Sequence, residues 1–359
     1  MSMKVSKKKL VFKVIVSLVF FSILLSFVQG NQLALMFSRI NWLYLLLSFL
    51  LSPVMIMVSC LKWKMILDVG GSRVPFMTLF RIYLIGYFFS NMLPSTVGGD
   101  VVRSYYAGKV INDQSYSAIA IFIERFSGIF FLFFLVILAP LLMPSLYQSP
   151  YVLIPIAGSF TLIFVTFWIG KVKDPYTLPD KVVAFALKIL KKFLSLVGRK
   201  NPEDLLDTIS SHYKNFMDRV EKLHEKLNLA LVTIGQDKKL LFRLILITAL
   251  FYFLTWVNVS LALLAFGINH QFFHICALVP TVLFVAHFPV TLLGNLGFFE
   301  SVFVFYLLLV GIPATGSLAM GLLLRMKMLL IGIIGFFVYL AYKQETGDDV
   351  KELAEGSNC

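Results

Sequence analysis

Nine stretches of this chain are apolar for about the length of a helix that crosses a bilayer: 10–28, 40–61, 76–93, 116–140, 151–170, 240–266, 275–293, 298–312 and 318–342. Of these, 298–312 is short for a crossing. In hydrocarbon each backbone N–H and C=O must find its partner inside the protein, so runs of this length become helices. The whole chain is 59% hydrophobic and 14% charged, whereas a soluble domain has about a quarter of its residues charged. The expected fold is therefore an all-α polytopic membrane protein with about seven or eight transmembrane helices.

Charge and reactive residues exclude other classes. The net charge of +13 is not accompanied by any nucleic-acid-binding motif. Loop lysines and arginines that set orientation and touch anionic lipid account for it. Cys60, Cys276 and Cys359 are far apart, and the five histidines lack metal-ligand spacing. No P-loop or G-x-S-x-G is present, so no cofactor or metal is expected. Lys4, Lys7, Lys8 and Lys9 precede the first apolar run, which is read as a retained span with a cytoplasmic N-terminus in the cell (inner) membrane.

Loop charge also tests the number of crossings. The 62–74 connection carries Lys62, Lys64 and Arg73, and 171–239 carries fourteen Lys or Arg; both read as cytoplasmic. Three apolar segments separate them, yet two loops on one side require an even number of crossings. The segment with a broken motif resolves this: 76–93 runs into "NMLPSTVGGD". Pro94 ends a helix, and Gly98 with Gly99 permits a reversal. Segment 76–93 is expected to dip in from the cytoplasm, turn and return. Non-helical backbone at membrane depth survives only where protein or a water-filled cavity covers it.

The chain divides into an N-terminal membrane half (1–170), an amphipathic helical loop (171–239), a C-terminal membrane half (240–342) and an acidic tail (343–359). Helices are expected over 181–197 and 202–227, the latter with Pro202 at its first position. A second broken motif, "AHFPVTLLGNLGFFES" at 286–301, echoes the first: Pro94 and Pro289 are each followed by glycine and then by a charged residue. Paired interruptions of this kind point to repeat-built transporters with a midplane site. An inverted repeat would make the second motif dip from outside; one dip plus a span, or two spans, both remain open for 275–312.

Arg81, Glu124, Arg125, Glu300, Arg325 and Lys327 lie within apolar segments. A charge at the bilayer centre costs about 2.5–3.5 kcal/mol on insertion scales, so such residues need partners or water. Arg81 and Lys327 can snorkel to the interface. Arg103, Arg125 and Arg325 are expected to converge on a phosphate, because the guanidinium fork binds phosphate bidentately. Glycine N–H groups add donors, and Asp100 and Glu300 would position the arginines.

"LPSTVGGDVVRSYYAG", "IERFSG", "PVTLLGNLGFFES" and the late "LLLRM" together resemble the flippase-like membrane proteins related to the N-terminal transmembrane domain of lysylphosphatidylglycerol synthases. The resemblance spans nearly the whole chain. It implies movement of lipids between leaflets and carries over Gly98, Gly99, Asp100, Arg103, Glu124, Arg125, Pro289, Gly297, Glu300 and Arg325. It departs where the family reads Gly-Gly-Leu-Gly and this chain reads Gly294-Asn295-Leu296-Gly297. Little chain follows the last span, so the aminoacyl-transferase domain and its chemistry are not expected. The reading is a non-enzymatic lipid translocase whose partners are membrane lipids with anionic head groups, with no nucleic acid and a homo-oligomer left open. The alternatives are a membrane-embedded transferase using Asp100 or Glu300 as base, and a small-solute transporter.

Overall fold

The computed structural model describes residues 30–92, 98–170, 202–288 and 297–356. The expected first span, the 181–197 helix, Pro94 and Pro289 lie outside the described residues. The remainder is helical: α1 Gly30–Ser38, α2 Trp42–Val69, α3 Phe76–Met92, α4 Gly98–Ile111, α5 Gln114–Leu138, α6 Pro150–Gly170, α7 Pro202–Gln236, α8 Lys238–Ala265, α9 Phe272–Ala286, α10 Phe298–Leu308 and α11 Ala314–Gly356. Two 3₁₀ turns, Ala139–Leu142 and Pro144–Gln148, join α5 to α6. Among the described residues, α2, α5, α6, α8 and α11 are long and apolar enough to cross a membrane. The all-α polytopic fold is as the apolar runs require.

Local chemistry sets several boundaries. Asn41, Asp113 and Asp237 cap α2, α5 and α8 by accepting from backbone N–H groups of the first turn. Helix α2 runs to Val69, eight residues beyond the expected apolar segment, and ends at Gly70-Gly71, where Gly71 takes φ +81°. The connection expected at 62–74 thus shrinks to 70–75. Lys62 and Lys64 belong to the helix, and Lys62 is buried. Helix α7 begins at Pro202 as expected and continues to Gln236.

The short helices form two hairpins. At 1.5 Å per residue, α3 and α4 are about 25 and 21 Å long, and α9 and α10 about 22 and 16 Å, against a hydrocarbon core of about 30 Å. Helices α3 and α4 pack closely at a glycine contact: a Cβ on Gly99 would overlap the Gly86 carbonyl and the Ser90 hydroxyl. The expected span at 275–293 is a helix of 15 residues ending at Ala286. Gly297 then starts α10 at φ +84°, a left-handed conformation that favours glycine.

A four-helix pattern thus occurs twice: long, short, short, long in α2–α5 and again in α8–α11. The leading helices, α2 and α8, pack antiparallel. Asn41 N–H donates to the Ala265 carbonyl at 2.7 Å near one end, and Ser48 Oγ donates to Asn258 Oδ1 at 3.1 Å further along. The second quartet runs opposite to the first, the arrangement of an inverted repeat. The halves also exchange partners, with α3 packed on α11 and α9 on α5. The larger apolar core combines α5 with α8–α11, and a second joins α2–α5 to the end of α7.

Candidate functional site

Each hairpin returns with a carboxylate in the first turn of its second helix, where the helix dipole favours negative charge. Each following long helix supplies an arginine to it. In the first half, Arg125 Nη2 donates to Asp100 Oδ1 at 2.9 Å. In the second, Arg325 Nε donates to Glu300 Oε1 at 2.8 Å. The two partners are 25 residues apart in both halves. Glu300 Oε2 also accepts the Gly297 N–H at 2.8 Å, closing the first turn of α10.

The two pairs differ in exposure. Glu300 and Arg325 are sealed, with side chains 1% and 9% exposed, and the Arg325 guanidinium lies 5.3 Å over the Phe299 ring. Arg125, in contrast, is 51% exposed, so its guanidinium keeps an open face beside Asp100, which is 18% exposed. His287, exposed at the end of α9 where the second hairpin breaks, lies within electrostatic reach of Arg125. The Asn91 amide, at the break of the first hairpin, donates to the Met328 carbonyl of α11 at 3.0 Å. The interrupted ends of both hairpins therefore face the middle of the bundle.

Arg103 is placed differently from the expectation. It is 2% exposed, and its Nη2 donates to Glu124 Oε2 at 2.5 Å. Its Nη1 donates to Asp100 Oδ1 at 3.3 Å. Its guanidinium lies between two rings, with Cζ 4.5 Å from the Trp63 centroid and 3.9 Å from that of Tyr83. Tyr83 Oη donates to Glu124 Oε1 at 3.2 Å. Arg103 therefore pins α2, α3, α4 and α5 together, and it holds Asp100 towards Arg125. Gly98 and Gly99 open α4, and Gly99 lets the hairpin close. Pro289 lies outside the described residues.

The structure separates the three expected arginines. Arg125 alone has an open guanidinium face; Arg103 and Arg325 are enclosed. Lys327 does not snorkel: it is 3% exposed, and its ammonium donates to Ser48 Oγ and Asn258 Oδ1, each at 2.6 Å. Arg81 is exposed on α3. Sequence reasoning missed Lys62, which is buried beside Glu124 and Arg125. Its neighbours Leu61 and Trp63 are apolar, and that local run was the signal that α2 continues.

Helix α5 presents more than Arg125. Phe122, Phe126, Phe130 and Phe134 recur every four residues and contact in series, with ring centroids 5.6, 6.0 and 5.2 Å apart. Phe122, Phe126 and Phe134 are exposed. Phe122 lies three residues before Arg125 on a neighbouring part of the helix surface, whereas Phe126, Phe130 and Phe134 turn progressively away from it.

The family model describing the lysylphosphatidylglycerol synthase TM region matches residues 10–335. A UPF0104 membrane protein of Methanocaldococcus jannaschii is 27% identical over 109 residues, which is 30% of this chain and 32% of that relative. The chain thus aligns with about a third of that curated relative's length. No solved structure matches it.

Proposed function

Since this chain belongs to the lysylphosphatidylglycerol synthase TM-region family, we propose that it is a non-enzymatic translocase carrying lipids with anionic head groups between leaflets. The observation that carries this reading is Arg125: a half-exposed guanidinium held by Asp100, near which two oppositely directed hairpins break; in this reading the space beside it is a polar hollow for the head group. The head group sits at Arg125 while its tails stay in hydrocarbon, the exposed Phe122 being the ring of α5 nearest that side chain in angle. In this reading Arg103 and Glu124 do not touch the lipid. They fix the angle of α4, and through Asp100 they fix the guanidinium of Arg125. The first hairpin enters from the cytoplasmic side, where Arg73 and the loop rich in Lys and Arg between 171 and 239 lie, and the second from outside. The N-terminus is cytoplasmic, in the cell membrane.

The test is the full chain in proteoliposomes with fluorescent phosphatidylglycerol in one leaflet. Wild-type protein should speed its exchange well above that of protein-free vesicles. Arg125→Gln should lower the rate about tenfold or more, the worth of one charge-assisted hydrogen bond. Exchange equal to that of empty vesicles, for both phosphatidylglycerol and a polyprenyl-phosphate sugar, would refute the proposal.

A further inference from the structure

Among the described residues, one buried ammonium near Arg125 has no partner. Lys62, on α2, is 6% exposed, and its Nζ lies 3.7 Å from the point where a Cβ on Gly128 would stand. Gly128 follows Arg125 by three residues on α5, so the lysine reaches the helix face that carries Arg125. Among the described residues, no hydrogen bond or ion pair within 4.0 Å reaches this ammonium. Glu124 is close enough to be felt, but its two oxygens already accept from Arg103 and Tyr83. The ammonium still keeps an accessible edge, since it is absent from the sealed, unpaired polar atoms.

The charges around the hollow do not cancel. Arg103 opposes Glu124, and Arg125 opposes Asp100. Lys62 is left as one uncompensated positive charge in a region of low dielectric. An unpaired buried charge of this kind is costly, and a bound anion would relieve it.

We infer that Lys62 and Arg125 grip the head group together, and that the group they take is a singly charged phosphodiester. This rests on the translocase reading above. A diester phosphate brings one negative charge, which brings the hollow to neutrality. A phosphomonoester with its second ionisation, or a pyrophosphate, would leave an unmatched anion there. The two cations are complementary: the arginine fork takes two oxygens in a plane, and the lysine supplies rotatable donors from the other wall.

The experiment uses the purified full chain in an uncharged detergent at pH 8, titrated with short-chain phosphatidylglycerol, phosphatidic acid and phosphatidylcholine in a calorimeter. Wild-type protein should prefer phosphatidylglycerol to both others. Lys62→Met should weaken phosphatidylglycerol binding by about 10- to 100-fold, the range for a hydrogen bond to a charged group. Lys62→Arg should stay within about threefold of wild type. Ligand-free Lys62→Met should unfold at or above the wild-type temperature, since the substitution removes an uncompensated charge.

A structural lysine would behave in the opposite way, so failure of Lys62→Met to fold, or a lowered midpoint, overturns the inference. Unchanged binding by Lys62→Met, with Arg125→Gln defective, removes Lys62 from the site and leaves the translocase reading standing. Equal affinity for phosphatidic acid refutes the single-charge requirement. If wild-type protein binds no anionic lipid, the translocase reading itself fails.

Discussion

Glu124→Gln tests whether the ion pair at the centre of the first hairpin acts as a pin. The substitution keeps volume and hydrogen-bonding capacity but removes the countercharge of a guanidinium that is 2% exposed. Two unit charges about 4 Å apart at an effective dielectric near 20 attract by about 4 kcal/mol. Breaking one side of a buried pair costs about 3–5 kcal/mol. Asp100 offsets part of this loss because its Oδ1 also accepts from Arg103, so a loss of about 3 kcal/mol is expected. The assay is reversible unfolding of the purified full chain in mixed micelles with rising sodium dodecyl sulfate. A second variant removes both charges, Arg103→Phe with Glu124→Leu. It should recover to within about 1 kcal/mol of wild type, because apolar replacement of a whole buried pair is often neutral or stabilising. The pin is refuted if Glu124→Gln lies within about 1 kcal/mol of wild type, or if the double variant is as unstable as the single one.

Three further outcomes follow from contacts elsewhere. Gly99→Ala places a methyl on the Gly86 carbonyl, which is backbone and cannot yield, so a loss of about 3 kcal/mol or more is expected in the same unfolding assay. Asn258→Leu leaves the Lys327 ammonium with Ser48 as its remaining partner; about 2 kcal/mol should be lost, and wild-type stability would show that the lysine does not need that amide. Asp113 caps α5 and accepts from Lys226 of α7 at 2.8 Å, and the lysine holds its carboxyl below the usual range. A carboxyl with a depressed folded value stabilises above its unfolded value of about 3.9 and loses that contribution as pH falls through the folded one. Amide protection factors along 202–236, corrected for the intrinsic pH dependence of exchange, should therefore fall below about pH 4 in wild type, whereas Asp113→Asn should show the lowered protection at all pH values.

The helices were legible in the sequence because each long apolar run needs internal backbone pairing and little else. The break after α3 was legible because Pro94 and Gly98-Gly99 stand where an apolar run should continue. The parity of basic loops singled out 76–93, and the helix found there, Phe76–Met92, is one of the shorter apolar helices of the fold. The end of α2 was not legible. Lys62 and Lys64 read as loop charge despite the apolar Leu61 and Trp63 beside them, and nothing local reveals that Glu124, some sixty residues on, comes close to Lys62. The same limit hid the fate of Arg103. Its enclosure depends on Trp63 and Tyr83 arriving from two other helices, which no spacing on α4 records. One signal was present and overlooked: Asp100 to Arg125 and Glu300 to Arg325 share one separation. The repeat was sought instead in the prolines and glycines, whose spacing matches only loosely.

That shared register makes the halves comparable position by position. Helices α4 and α10 start at residues 98 and 298, and α5 and α11 at 114 and 314, so Arg103 corresponds to Phe303 and Glu124 to Leu324. Phe303 and Leu324 are both buried in one apolar core. The same framework is thus packed in one half by hydrocarbon and in the other by an ion pair. Stability alone does not favour the ion pair, since a buried pair commonly does no better than well-packed apolar groups of similar volume. Several positions in which the first half departs from its counterpart serve one neighbourhood. Gly99, where the second half has Phe299, brings α4 close to α3; Arg103 orients Asp100; Glu124 balances Arg103. Lys62 lies beside them without a countercharge of its own among the described residues; counted from the helix starts at Trp42 and Lys238, the second half has Asn258 at that position of α8. Among the described residues of the two hairpins and the long helices that follow them, Arg125 is half exposed while its counterpart Arg325 is enclosed. A demand for a ligand at Arg125 and Lys62, as proposed above, would account for the polar residues of the first half, and the second hairpin shows the fold packed without them.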